Sequence, residues 1–295
     1  MTAAAGPQGV KAGYIGMAQP VLFVHGAFCG GWAFDQFRQP FERAGYETHA
    51  PHLPFHERGS DLERLAQCSV SDFAAAIAHY AKGLGRPPVL VGHSMGGLVC
   101  QLAAAQTPCA GLILLGSSAP WGVMPTTLEE HGASFGLSLL GDYWRRTIPP
   151  DYRVARQSTL DRLPRDAARK IFARFVPESG RAIMETVQWW LDHAMASAAP
   201  VYRISCPILA IAGGQDRVNP TTTIRRLVGR FPKSQADYVP FDAMSHWLMG
   251  EEEWPQVAET ALMWLVKKGI FADAAPPTTR RKPLQLFSWG FPPGA

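Results

Sequence analysis

The feature that most restricts what this chain can become is an apolar run that stops at a serine between glycines. Pro88-Val89-Leu90-Val91 is too apolar for an edge strand. Gly92-His93-Ser94-Met95-Gly96 turns sharply after it, and Leu98 to Gln106 has helical character. A serine at such a strand-to-helix corner sits on strained backbone, and glycines at the flanking positions remove the Cβ atoms that would collide there. The helix N-terminus behind it points free N–H groups toward developing negative charge. A bare G-x-S-x-G is a weak signal; its flanking strand and helix make it a specific one.

The same alternation extends along the chain. Val21 to Val24 is a strand candidate ending at His25-Gly26. Trp32 to Ala44 reads as a helix kinked at Pro40 and ended by Gly45, and Glu47 to Ala50 as a second strand before the loop Pro51–Pro54. A helix runs from Ser71-Asp72 to Lys82, and Gly111 to Leu115 is another strand. Strands alternating with helices predict an α/β fold with a mostly parallel sheet covered on both faces. The rhythm breaks after Ala119: Trp121 to about Ala199 reads as helical, with no convincing strand. It resumes at Pro207–Ile211 and Ala236–Val239. Trp254 to Lys268 follows as an amphipathic helix, with Trp254, Ala258, Ala261 and Leu265 on one face and Gly269 as its stop. The expected organisation is a core of residues 1–119 and 200–271, a helical cap insertion at 120–199, and a proline-rich tail at 272–295. Composition predicts a disordered tail. Its Leu284, Leu286, Phe287, Trp289 and Phe291 make a docking arm, on the body or on a second copy in a homodimer, the alternative.

Composition excludes several classes. With 47% hydrophobic and 18% charged residues, the 295-residue chain can bury a sizeable core. The net charge is only +4, part of it from Arg280, Arg281 and Lys282 in the tail, so nucleic acid is not the expected partner. The 5 cysteines are scattered, without metal-site or C-x-x-C spacing, and read as reduced thiols of a cytoplasmic protein. The first twenty residues do not read as a secretory signal, and no stretch has the length of a membrane span.

Serine needs a base to become a nucleophile, and that base needs an orienting carboxylate. Asp216, in Gly213-Gly214-Gln215-Asp216, follows one strand, and His246, in Met244-Ser245-His246-Trp247, follows the next. Three residue types that chemistry requires thus fall at three strand C-terminal ends, the edge where α/β proteins bind ligands.

In these motifs the chain resembles the α/β-hydrolase superfamily: the elbow GHSMGG, the turn HGAF, the acid loop GGQDRVNP and the late histidine, over roughly Val21 to Gly269. The resemblance implies Ser94 as nucleophile, His246 as base and Asp216 as its acid. It implies an oxyanion hole from the backbone N–H groups of Met95 and Ala27, with Phe28 an alternative. His25 to Trp32 looks closest to the branch of small-ester hydrolases, methyl-ester esterases and hydroxynitrile lyases. The lyases keep a lysine after the catalytic histidine, where this chain has Trp247. A serine nucleophile argues against epoxide hydrolase and haloalkane dehalogenase chemistry. Little chain precedes Val21, so the first strands of the eight-stranded family pattern are expected to be shortened or absent.

Other residues are weighed beside these. Asp242 reads as a solvated loop residue and Cys29 as a small buried hydrophobe. His25 and His93 read as braces of the site, and with Trp121 and Trp247 they are the candidate pocket residues. The expected activity is hydrolysis of a small or medium, largely apolar carboxylic ester, without metal or organic cofactor and without a membrane partner. Lactones, thioesters and C–C bonds use the same triad, and a non-hydrolytic small-molecule receptor is the alternative from another class.

Overall fold

Strands as apolar as these are stable only with both faces covered. A computed structural model describes residues 18–272 and pairs them accordingly. In chain order the strands are β1 (Pro20–Val24), β2 (Glu47–His49), β3 (Val89–His93), β4 (Gly111–Leu115), β5 (Thr147–Ile148), β6 (Glu178–Ser179), β7 (Ile208–Gly213) and β8 (Ala236–Phe241). Six of them form one sheet of order β2-β1-β3-β4-β7-β8, every pair parallel. The chain winds from β1 outward to β2 and then returns to the other side of β1 with β3. Between β1 and β3 the connections diverge, and the crevice that opens there is where ligands bind in open sheets.

The helices are α1 (Gln39–Arg43), α2 (Leu62–Gln67), α3 (Val70–Gly83), α4 (Met95–Ala104), α5 (Leu128–Ser138), α6 (Tyr152–Ser158), α7 (Arg165–Phe172), α8 (Gly180–Val187), α9 (Thr221–Val228) and α10 (Trp254–Lys267). Strand alternation divides the core in two. Leu22, Leu90, Leu112, Leu114 and Ala210 point to one face and pack on Phe73 and Ile77 of α3, Val99 of α4 and Leu227 of α9. Phe23, Val91, Ile113, Leu115 and Ile211 point to the other and meet Phe37, Phe41 and, from α10, Val257, Ala261 and Leu265.

Local chemistry moves several predicted boundaries. Trp32–Ala44 is not one kinked helix: a 3-10 turn at Gly31–Phe34 is followed by α1, with Pro40 in its first turn. Proline has no N–H to give and its ring crowds the preceding turn, so it starts a helix more readily than it continues one. The true start of α3 is Ser69, whose capping box with Asp72 is complete. Residues 121–199 contain strands after all, since β5 and β6 pair antiparallel, each only two residues long. The helices α5 to α8 fill the rest of this insert, which leaves the sheet after β4 and returns at its neighbour β7. The predicted tail lies outside the described residues except for Ala272. Among the described residues no helix is long and apolar enough to cross a membrane, and no cluster of metal-ligating side chains occurs.

Candidate active site

Ser94 caps α4 with φ 55° and ψ −126°, a conformation L-residues avoid. It is held there from both ends. Its N–H donates to the Leu115 carbonyl at 3.1 Å, and its own carbonyl accepts from Gly97 and Ser118, both at 2.9 Å. The corner tolerates no Cβ beside it. One on Gly92 would lie 2.4 Å from the Gly96 oxygen, and one on Gly96 2.2 Å from the Val24 oxygen. The turn after β1 presses against the same residue, with the Gly26 Cβ position only 2.9 Å from Ser94 Cβ.

His246 and Asp216 meet at the other side. His246 Nδ1 lies 2.8 Å from Asp216 Oδ2, and both side chains are buried. Asp216 Oδ1 is fixed by the N–H groups of Val218 (2.8 Å) and Asn219 (2.9 Å), so the carboxylate has one oxygen left for the ring. With Nδ1–H donating to it, Nε2 keeps its lone pair. The pair abuts the end of β4: a Cβ on Gly116 would stand 3.2 Å from Asp216 Oδ2 and 3.6 Å from His246 Nδ1. Asn219 Nδ2 donates to the Gly116 carbonyl at 2.8 Å and locks the acid loop to that strand end. Ser94 Oγ and His246 Nε2 have no hydrogen bond to another described residue. Asp242 is exposed and takes no part.

Two further residues grip the histidine, and sequence reasoning singles out only one of them. His93 donates from Nε2 to the His246 carbonyl at 2.9 Å, the rings 4.7 Å apart. Burial, and then His246 beside it, holds the His93 pKa well below the ordinary histidine value, so the ring is neutral. The second is Glu251, whose carboxylate accepts the N–H of Ser245 at 2.7 Å and of Trp247 at 2.8 Å, straddling His246.

The turn after β1 supplies a donor. His25 Nδ1 donates to the Gly26 carbonyl at 2.9 Å, and Nε2 accepts the Leu53 N–H at 2.9 Å. Burial, with His56 adding to it, keeps His25 uncharged. The Ala27 N–H has no backbone partner among the described residues, and Met95 opens α4, where N–H groups have no intrahelical acceptor. Phe28 is a correction: its N–H donates to Glu178 Oε2 at 3.1 Å and is committed elsewhere.

Of the four predicted pocket residues, His25, His93 and Trp247 are buried and Trp121 is partly exposed. His25 and His93 are fully enclosed braces. Trp247 is 2% exposed and packs against Trp32 (6.3 Å) and Phe175 (6.2 Å) as part of the core. Trp121 stacks at 5.0 Å on Trp189 of the insert. A cavity of about 420 Å³ opens beside Trp32, His52, Arg58 and Arg174, and one of about 300 Å³ beside Phe55, Leu62 and Phe175. Cys29 is buried, and its surroundings push the thiol pKa up, away from reactivity.

Residues 21–260 match the model of the Alpha/beta hydrolase family. A pyrethroid hydrolase of Sphingobium wenxiniae is 27% identical over 228 residues, 72% of this chain and 76% of that protein. Among solved structures, the monoacylglycerol lipase of Paleococcus ferrophilus aligns with a TM-score of 0.66 at 20% identity, over 84% of this chain and 94% of that one. A methylesterase protein from Arabidopsis aligns at 0.63 and 17% identity, covering 84% and 99%.

Proposed function

The chain belongs to the alpha/beta hydrolase family, and from that premise we propose that it hydrolyses carboxylic esters through a serine acyl-enzyme. The observation that carries this reading is the 2.8 Å Asp216–His246 contact beside a serine held at positive φ. Ser94 Oγ attacks the ester carbonyl carbon while its proton passes to His246 Nε2. Asp216 stabilises the imidazolium through Nδ1–H. The N–H groups of Ala27 and Met95 receive the oxyanion, where loss of one donor costs about 2.7–4 kcal/mol. His246 then protonates the departing alcohol. In the second half it takes a proton from water, which attacks the acyl-enzyme and releases the acid and Ser94. Every step uses side chains and backbone of this chain, with no metal. The similarity to a pyrethroid hydrolase supports the hydrolase reading, and the substrate proposed is a small to medium, largely apolar ester.

The test is fluorophosphonate labelling with the adduct located by mass spectrometry, alongside turnover of p-nitrophenyl esters of graded acyl length. Labelling at Ser94, lost in Ser94→Ala, is expected. Asp216→Asn should lower kcat by about 10⁴-fold, because an amide beside Nδ1 favours the wrong tautomer. A folded wild type that neither labels nor turns over any ester would overturn the reading.

A further inference from the structure

We propose that Glu178, carried on the insert, is a positioning residue for the oxyanion hole, acting on the turn through Phe28; this rests on the ester-hydrolase reading above. The Gly26–Ala27 peptide is planar, so its carbonyl and the Ala27 N–H point in opposite directions. His25 holds the carbonyl end. The N–H end depends on the next residue, and Phe28 has φ 64°, a region that a bulky aromatic residue enters only when its surroundings impose it.

The imposing segment is Val176–Glu178. The Val176 N–H donates to the Phe28 carbonyl at 2.9 Å, and the Phe28 N–H donates to Glu178 Oε2 at 3.1 Å. Phe28 is thus bonded on both sides by one short stretch of the insert. Glu178 is itself immobilised. It is fully buried, its Oε1 accepts the Ser179 N–H at 2.7 Å, and its Oε2 also meets His56 Nε2 at 2.9 Å. His56 Nδ1 faces the Pro54 carbonyl at 2.9 Å, and a carbonyl only accepts. Nδ1 therefore donates, and against the cost of burial the Glu178 carboxyl beside Nε2 raises the His56 pKa, which favours the doubly protonated ring. The His56 ring lies 5.1 Å from that of His25, so both holds on the turn belong to one packed group.

A residue that positions an oxyanion donor affects the transition state more than substrate binding. Hydrolysis of p-nitrophenyl butyrate by Glu178→Ala is expected to show kcat lowered by about 10²-fold with KM within about twofold, the scale of one lost donor. Glu178→Gln keeps an oxygen for the Phe28 N–H and should recover at least part of that loss; it also serves should the alanine variant not fold. The decisive arm is the Phe28→Gly background. Glycine adopts positive φ freely, so adding Glu178→Ala there should cost less than in wild type. Hydrogen exchange of amides 26–30 should speed up in Glu178→Ala, with α10 unchanged. Full kcat in a folded Glu178→Ala, or an equal loss in both backgrounds, overturns the positioning role. A wild type without ester turnover, or a Ser94→Ala variant that retains it, overturns the ester reading instead, while amide exchange still reports on the grip.

Discussion

His246 is gripped by its backbone as firmly as by its ring. Glu251 takes the N–H groups on both sides of it while 3% exposed, and burial raises the pKa of that carboxyl above its ordinary value. Glu251→Ala would leave two buried donors unpaired at about 1–3 kcal/mol each. Urea denaturation should show a loss of about 2–6 kcal/mol, and Glu251→Gln, which keeps one acceptor, a smaller one. Ser94, Asp216 and His246 are singled out in the sequence by local signals: the first two come just past the apolar strands β3 and β7, and His246 in the loop after β8. Glu251 and Glu178 are not. Their partners are backbone N–H groups, which every residue has, and for Glu178 the partner lies 150 residues away. Nor does adjacency to His246 along the chain say which side the Trp247 ring takes; it packs with Trp32 and Phe175.

Among the elements, α3 shows how the insert is tied to the core. Its cap, Ser69, donates from Oγ to Glu185 Oε2 at 2.7 Å, and the Val70 N–H donates to the same oxygen at 2.8 Å. Glu185 belongs to α8, where Arg181 pairs with its other oxygen at 2.8 Å. Glu185→Ala should therefore cost about 1–3 kcal/mol, chiefly by leaving the Val70 N–H buried without an acceptor, and a shifted urea midpoint would show it. An unchanged midpoint would mean that water replaces the carboxylate. Long helices such as α3 and α10 are legible because periodicity accumulates over many residues, and the buried strands because each is a continuous apolar run between turns. The two-residue strands β5 and β6 have no period to read, and they exist only because tertiary packing brings them together.

The molecule as a whole holds its histidines in opposite protonation states, and this shapes its stability against pH. His25 and His93 are buried neutral with pKa values well below the ordinary 6.5. The unfolded chain takes up protons there that the folded chain refuses, so stability is lost as pH falls through about 6.5. His56 has the reverse sign. Burial opposes its charge, but the Glu178 carboxylate and nearby carbonyls outweigh it and raise the pKa above 6.5. The groups facing it are Glu178 from β6, His25 from the end of β1, His52 of the loop after β2 and the Phe73 ring of α3. Its contribution is complete below about 6.5 and is lost as pH rises through the raised value. Urea midpoints from pH 5 to 9 should therefore fall on both sides of a maximum at about 6.5. His56→Gln should flatten the alkaline limb and keep the acid one. The grip of Val176–Glu178 on Phe28 also bears on how such a chain can be rearranged. The insert leaves and re-enters the sheet at adjacent strands, the geometry of a module that could be exchanged whole. Yet a foreign insert would arrive without the acceptor and donor that Phe28 needs. A chimaera of that kind would inherit an intact sheet and a mis-aimed site, so the turn after β1 and its distant partner must be transplanted as a pair.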